Sequence, residues 1–457
     1  MLKTKGLSSD FTNGSIPGML LVFGIPFILS TALQLLYSLI DMLVVGNFVG
    51  SYGLSAVSVA SQAANFPTML CMGFSSGAQV LVAQLLGAGK KENIQRCIGT
   101  FFSVLFVAAF FLSALLIGGN RLFLKLLNTP QESYQMARDY LIICGGGCIF
   151  TFGYNAVAAI LRGMGDSRHP LVFIAIASVI NLVLDLVFIG GFGWGTAGAA
   201  LATVLGQAFA FGYALLFLYC RREEFGFDFQ PESFRIHSDT LKVLLNLGVP
   251  FSISSCAVNI SMMFINSMVN SYGVYASAVF GVGVKLDDIV HKLTIAFSNA
   301  LMPIVAQNLA AGKRKRAQQA VYWTWIYCGI CYAIFTVVFC LNSEGLFRLF
   351  TDEMRVIELA PMFVSAVIWG FPGMVLMRGT GGFIQGLGHA KLSMVLGLLD
   401  GFVIRIFLSY LLGSMLGLGL WGFFFGFSMA CYGAAIPGVI YFLSGKWKTR
   451  ELLVKDG

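Results

Sequence analysis

The sequence predicts an all-α integral membrane protein, with twelve transmembrane helices in two six-helix lobes related by a parallel pseudo-twofold repeat. Three observations carry that prediction. Of 457 residues, 57% are hydrophobic and 11% charged, against about 45–50% and about 25% in soluble domains, and mean hydropathy is +0.82. The apolar residues gather into twelve windows long enough to cross a bilayer. The second half of the chain also repeats motifs of the first at an almost constant offset. This composition excludes a water-soluble enzyme and a disordered chain.

The first apolar run, Met19 to Val49, follows Lys3, Lys5 and a polar stretch to Ser15. It is too long for a signal-peptide core and reads as a retained helix. Apolar windows place six helices near 18–48, 53–86, 98–118, 135–161, 171–189 and 198–218, and six more near 244–271, 275–309, 317–341, 357–384, 391–412 and 419–443. The expected organisation is an N-lobe over 1–220, a charged cytoplasmic linker over 221–243, and a C-lobe over 244–457.

Basic residues assign the sides. Gaps of one parity, with the two termini, hold 20 Lys and Arg: Lys3, Lys5, Lys90, Lys91, Arg96, Arg162, Arg168, Arg221, Arg222, Arg235, Lys242, Lys313 to Arg316, Lys391, Lys446, Lys448, Arg450 and Lys455. The other parity holds five: Arg121, Lys125, Arg138, Arg348 and Arg355. The positive-inside rule then puts both termini in the cytoplasm of a multi-pass protein of the cell (inner) membrane. The net charge of +8 reflects topology rather than nucleic-acid binding. Most of the ten cysteines lie inside apolar runs, and Cys328-Gly-Ile-Cys331 lacks a second pair, so packing rather than metal or redox chemistry is expected of them.

The repeat is collinear. Gln84-Leu-Leu-Gly-Ala-Gly-Lys90 recurs as Gln307-Asn-Leu-Ala-Ala-Gly-Lys313, Ile25-Pro26-Phe27 as Val249-Pro250-Phe251, and Gly163-Met-Gly165 as Gly386-Leu-Gly388. Six helices per half means each half enters and leaves on one side, so the repeats are parallel and would enclose a central cleft for a transported substrate. Gly193-Trp-Gly-Thr-Ala-Gly198 spells a dinucleotide fingerprint, but no βαβ pattern surrounds it. Its twin at Gly417–Gly422 joins helices in the same way, and both read as tight turns.

An ionisable group inside hydrocarbon costs at least about 2.5–3.5 kcal/mol. In the first half, only Asp41 and Asp185 lie well inside helices. Both fall ~7–12 Å below the outer ends of helices one and five, in the layer of Thr203 on helix six. Asn181, four residues before Asp185, shares its helix face. Two carboxylates and two neutral oxygens suit a proton or a hard cation such as Na⁺, and Asp41, Asn181, Asp185 and Thr203 form a candidate Na⁺ set. The repeat-equivalent positions are Ile265/Asn266 and Leu408, so the acidic layer belongs to one half only. Helix eight of the second half carries Lys285, Asp287, Asp288, His291 and Lys292. Their i,i+3 and i,i+4 spacings allow either mutual neutralisation or a cleft-facing role. Asp400 and Arg405 compensate each other or a neighbour, and Arg378 stands apart.

Pro26, Leu35, Tyr37, Asp41, Val45-Gly46-Asn47-Phe48-Val49-Gly50 and Leu54-Ser55-Ala56-Val57, with Arg162-Gly-Met-Gly-Asp166-Ser-Arg168, Pro170, and Gln307 with Ala311-Gly312-Lys313, together resemble the multidrug and toxic compound extrusion (MATE) family over nearly the whole chain. The resemblance is to its DinF-like branch more than its NorM-like branch. That branch's polar cation site matches Asp41, Asn181, Asp185 and Thr203 here, and Tyr140 joins them. The NorM-like branch has acids in helices seven and ten, where this chain has Asn259 and Asn266, and Glu358 only at the start of helix ten. The resemblance implies a secondary active multidrug exporter that antiports H⁺ or Na⁺ against organic cations and amphiphiles by alternating access. It implies no cofactor beyond the coupling ion, and the expected state is a monomer in the lipid bilayer. Pro26 would let helix one bend. Tyr37, Asn259, Asn266, Lys285 and Asp288 are candidate substrate-cleft residues. The alternative is a flippase for lipid-linked or amphiphilic precursors. An enzyme is not expected, since His169, His237 and His389 fall in loops and His291 has no matching ligand set.

Overall fold

The structure, a computed structural model, describes residues 9–127 and 129–453. Lys3, Lys5 and Lys455 of the charge count lie outside the described residues. Helices account for almost all of the remainder, and no strand occurs among the described residues. The spans are α1 Ile16–Val49, α2 Ser51–Gly87, α3 Glu92–Gly118, α4 in two arms (Gln131–Gly146 and Cys148–Gly163), α5 Arg168–Gly191, α6 Gly195–Cys220, α7 Ser238–Asn270, α8 Val274–Ala310, α9 Arg314–Leu341, α10 Met354–Gly386, α11 Ala390–Met415 and α12 Gly419–Leu443. Counting the two arms of α4 as one span gives the expected twelve.

Two differences from the sequence reading have physical causes. The arms of α4 meet at 48°, and the hinge is Gly147, where a Cβ would lie 2.4 Å from Val204 Cγ2. The missing side chain lets α4 press against α6. Second, α7 opens at Ser238, so residues 238–243, expected in the linker, are its first turns. Their polar character hid them from an apolar window, as it did the first turns of α3. As expected of a single helix over 18–48, α1 runs unbroken through Pro26. The Ser30 hydroxyl donates to the Pro26 carbonyl at 2.7 Å and Thr31 donates to Phe27 O at 2.9 Å.

The chain forms two compact units, one spanning Pro26–Gly248 and the other combining Phe11–Ile25 with the residues from Val249 onward. The first division falls inside α1, directly before Pro26, and the second inside α7, beside Pro250. Helix one was expected wholly in the N-lobe, yet its first turns and the segment before them pack in the second unit. Phe11 is sealed there, its N–H donating to Gln307 Oε1 and its carbonyl accepting from Asn308 Nδ2, both at 3.0 Å. Arg316 Nη1 donates to Gly14 O at 2.9 Å. The first unit repeats the arrangement with the residues before α7: Ser103 Oγ donates to Phe234 O at 2.6 Å, and His237 N–H donates to Thr100 Oγ1 at 3.2 Å. Each unit has its own apolar core, centred on Val45, Ala60, Leu141 and Ala200 in the first and on Phe280, Phe363 and Phe424 in the second.

The glycine fingerprint is a pair of interhelical turns. Gly193 and Gly195 have φ of 69° and 56°, and their repeats Gly417 and Gly419 have 69° and 60°. Left-handed backbone of this kind suits glycine because no Cβ clashes.

One element has no equivalent in the first half. Residues Leu399–Arg405 of α11 form a π-helical turn, whose i,i+5 stacking places Arg405 over Asp400. Arg405 Nη2 donates to both Asp400 oxygens, at 3.1 and 3.0 Å, and both side chains are buried. Its guanidinium also lies 5.3 Å from the Phe427 ring centroid. Removing one member strands the other charge. Arg405→Met is expected to lower stability by about 3–5 kcal/mol, read as a fall in unfolding temperature of the purified protein. The pair replacement Asp400→Leu with Arg405→Met is expected to be milder than either single change.

Candidate functional site

The first unit holds a polar core built from α1, α4, α5 and α6. Asp41 and Asp185 are both buried, the latter completely, and close enough for each carboxyl group to feel the other. Asp41 Oδ1 and both Asp185 oxygens are buried without a hydrogen-bond partner. No Lys or Arg pairs with either acid among the described residues. An isolated carboxylate in such a place is costly, so the pair calls for a proton or a cation. Among the described residues, no group of three His, Cys, Asp or Glu forms a transition-metal cage. The donor set is carboxylate, amide and hydroxyl oxygen, which fits a proton or a hard monovalent ion.

Thr203 ties together the neutral polar groups of this core. Its Oγ1 accepts from Asn181 Nδ2 at 3.4 Å and shares a hydrogen bond with the Tyr37 hydroxyl at 3.2 Å. Tyr140, also buried, lies near Asp41, Tyr37 and Cys144. Gly206 permits the close approach of α6 to α5: a Cβ there would lie 2.9 Å from Ala177 O and 3.2 Å from Asn181 Cβ. Directly after Asp185, α5 continues as a π-helical segment, Leu186–Gly191, a departure from α-helix that recurs at functional sites.

Beside this core lies a cavity of about 220 Å³, lined by Gln34, Tyr37, Tyr154, Ser178, Asn181, Thr203 and Gln207 among its polar residues, with Ile174, Ala177 and Gly206. The Tyr154 hydroxyl and Gln207 Oε1 are buried and unpartnered. The cavity therefore offers spare donors and acceptors next to two acids.

The structure thus brings Asp41, Asp185, Asn181, Thr203 and Tyr140 together and places Tyr37 with them, bonded to Thr203. The sequence reading missed Gln34, Tyr154, Ser178 and Gln207. A signal existed: Gln34, Tyr37 and Asp41 on α1, and Ser178, Asn181 and Asp185 on α5, both follow an i, i+3, i+7 pattern, which paints one polar stripe per helix.

The remaining candidates belong to the second unit. Asn259 is exposed and donates to Ser255 O of its own helix at 2.9 Å, and Asn266 and Lys285 are also exposed. Asp288 pairs with Lys292 at 2.7 Å. One expectation is corrected here. Arg378 does not stand apart, because its Nη2 hydrogen-bonds His291 Nε2. His291 therefore faces α10 instead of neutralising Asp287 along α8.

Two repeat units of membrane-spanning helices, one enclosing an uncompensated acid pair beside a cavity, define a polytopic membrane transporter. The chain belongs to the MatE family, whose model matches residues 26–187 and 250–411, one stretch in each repeat. It is 29% identical over 454 residues to the Probable multidrug resistance protein YpnP of Bacillus subtilis (strain 168), covering 98% of this chain and 99% of that protein. It is 24% identical to the FAD transporter of Shewanella oneidensis, over 79% of this chain and 81% of that one. The fold matches that of a MOP superfamily transporter from Pyrococcus furiosus with a TM-score of 0.90 at 21% identity, covering 98% and 99% of the two chains.

Thr203→Val keeps the side-chain shape but removes the oxygen shared by Tyr37 and Asn181. It is expected to lower stability by about 1–3 kcal/mol, measured by thermal unfolding in detergent, and Thr203→Ser is expected to recover most of the loss.

Proposed function

We propose that this protein is a cation-coupled exporter of organic cations and other amphiphilic drugs, working as a monomer in the cell membrane with both termini in the cytoplasm. The observation that carries this reading is the buried Asp41–Asp185 pair, three of whose oxygens are unpartnered, with a cavity lined by Tyr37, Asn181 and Thr203 beside it. The names of relatives such as the Bacillus subtilis multidrug resistance protein support the substrate class.

The coupling follows from exclusion. A proton or Na⁺ at the acid pair lowers its negative charge and weakens the attraction for a cationic drug. Loss of that ion exposes the negative charge and favours the drug. One site serving both ligands in turn converts an inward ion gradient into outward drug movement through alternating access. Exchange of one such ion for one singly charged drug moves no net charge, so the ion's concentration gradient drives it, and a tenfold gradient supplies about 1.4 kcal/mol, equivalent to roughly tenfold accumulation. Tyr37, Asn181, Gln207 and Tyr154 offer the drug hydrogen bonds of either polarity without demanding a fixed pattern. Bending of α1 at Pro26, where no N–H is lost from the helix ladder, is the accompanying movement.

The test is uptake of a fluorescent organic cation into vesicles containing the purified protein, with pH and sodium gradients imposed separately. One of the two gradients is expected to drive uptake. Asp41→Asn and Asp185→Asn are each expected to abolish gradient-driven uptake while the protein still inserts and purifies normally. Uptake by Asp41→Asn at the native rate would reject the mechanism.

A further inference from the structure

The second unit carries a charged face for which the exporter reading has no use. His291 lies near the middle of α8, and α10 is fixed against α8 at Arg378, whose carbonyl accepts from Ser298 Oγ at 2.9 Å. A Cβ on Gly382, one turn further along α10, would lie 2.7 Å from Ser298 O, so the close crossing is built in. Arg378 projects from this crossing to His291, which holds one arm of the guanidinium. A guanidinium only donates, so the imidazole nitrogen facing it accepts.

The pairing in this region leaves a remainder. Asp400 is taken by Arg405, and Asp288 by Lys292. Arg378 has no carboxylate partner among the described residues, and its Nε is buried without an acceptor. Asp287 feels both Arg378 and Arg405 yet makes no ion pair, and exposed Lys285 makes none either. The surplus is two bases against one acid. Arg378, Asp287, His291 and Lys292 are only half-buried. Charged side chains so deep in their helices do not face hydrocarbon, so this face of the unit lines a water-accessible space.

We propose that Arg378, steadied by His291, is the oxyanion-recognition point of the second unit: it binds a carboxylate or phosphate group carried by the transported amphiphile. The inference rests on the export reading and extends its substrate class from cations to amphiphiles that bear an oxyanion, zwitterions included, whose cationic group then has Asp287 as a neighbour. A planar guanidinium is suited to such a group because it offers paired N–H donors in a fork. The π-turn at Leu399–Arg405 serves the same end. It locks Asp400 onto Arg405, which keeps that acid from capturing Arg378.

The experiment uses the full chain in nanodiscs of phosphatidylcholine and two probes: a rhodamine with a free carboxylate and the methyl ester of the same dye. Equilibrium binding is read by fluorescence polarisation. Arg378→Gln is expected to weaken the carboxylate dye by about tenfold or more, the loss of one charge-assisted contact, while the ester binds within about twofold of native. Binding of the ester also reports that the variant is folded, and Arg378→Lys is expected to recover part of the lost affinity. Equal weakening of both dyes, or of neither, overturns this inference and leaves the export reading standing. Failure of the native chain to bind either dye overturns both. Native affinity for the carboxylate dye that collapses when phosphatidylglycerol replaces phosphatidylcholine, while the ester is unaffected, shows that a lipid headgroup fills the site and overturns its assignment to the transported molecule.

Discussion

Two carboxyl groups face each other inside a helical bundle with no base beside them, and much of the first unit is arranged around that fact. Like charges about 4 Å apart in a medium of effective dielectric near 20 repel by about 4 kcal/mol, and burial of each adds its own penalty. A pair in this position is stable when a proton or a cation is present and strained when neither is. The strain is confined to a small volume, because Thr203 bonds to both Asn181 and Tyr37 and these groups leave the acids alone. That division of partners makes the pair responsive: Asn181, Thr203 and Tyr37 have one another as partners in the absence of a ligand, and the carboxylates do not.

The repeat sharpens the point. Both units share helix order, the proline pair Pro26 and Pro250, turn glycines and the strapping of the preceding segment onto a neighbouring helix, yet their interior charges differ in kind. The first unit has acids without bases. The second has guanidinium groups, one locked to an acid by a π-turn and one held by an imidazole. Architecture copied from a common unit would give similar interiors, so the differences mark where the two halves do different work. A protein built this way presents opposite chemistries on one scaffold, each backed by apolar helices that exclude competing partners.

Much of this was legible in the sequence for reasons that are local or periodic. Twelve spans follow from hydropathy because a bilayer leaves helices little choice. The turn glycines followed from repetition of a motif out of its usual context. Asp41 and Asp185 could be placed in one layer because rise per residue and alternating topology determine depth without any knowledge of packing. What lay beyond reach depends on contacts between distant parts of the chain. Arg378 meets His291 across 87 positions, and no spacing rule links them. Tyr37 bonds to Thr203 across 166. The bend of α4 at Gly147 answers to Val204 on another helix, and the assignment of Phe11–Ile25 to the second unit answers to Gln307, Asn308 and Arg316. The polar stripes on α1 and α5 stood between these cases: their period was present in the sequence, but which stripe faced which required coordinates.

The central claim is that the coupling ion and the drug compete for the same pair of acids. The most direct measurement is ion release on drug binding, followed in weakly buffered detergent solution with a pH indicator and a sodium-selective electrode. The account predicts that each drug cation bound displaces a proton or a sodium ion from the native protein, and that a chain with both Asp41→Asn and Asp185→Asn displaces neither. Drug binding to the native protein with no release of either ion, across the pH range in which the protein stays folded, would contradict it.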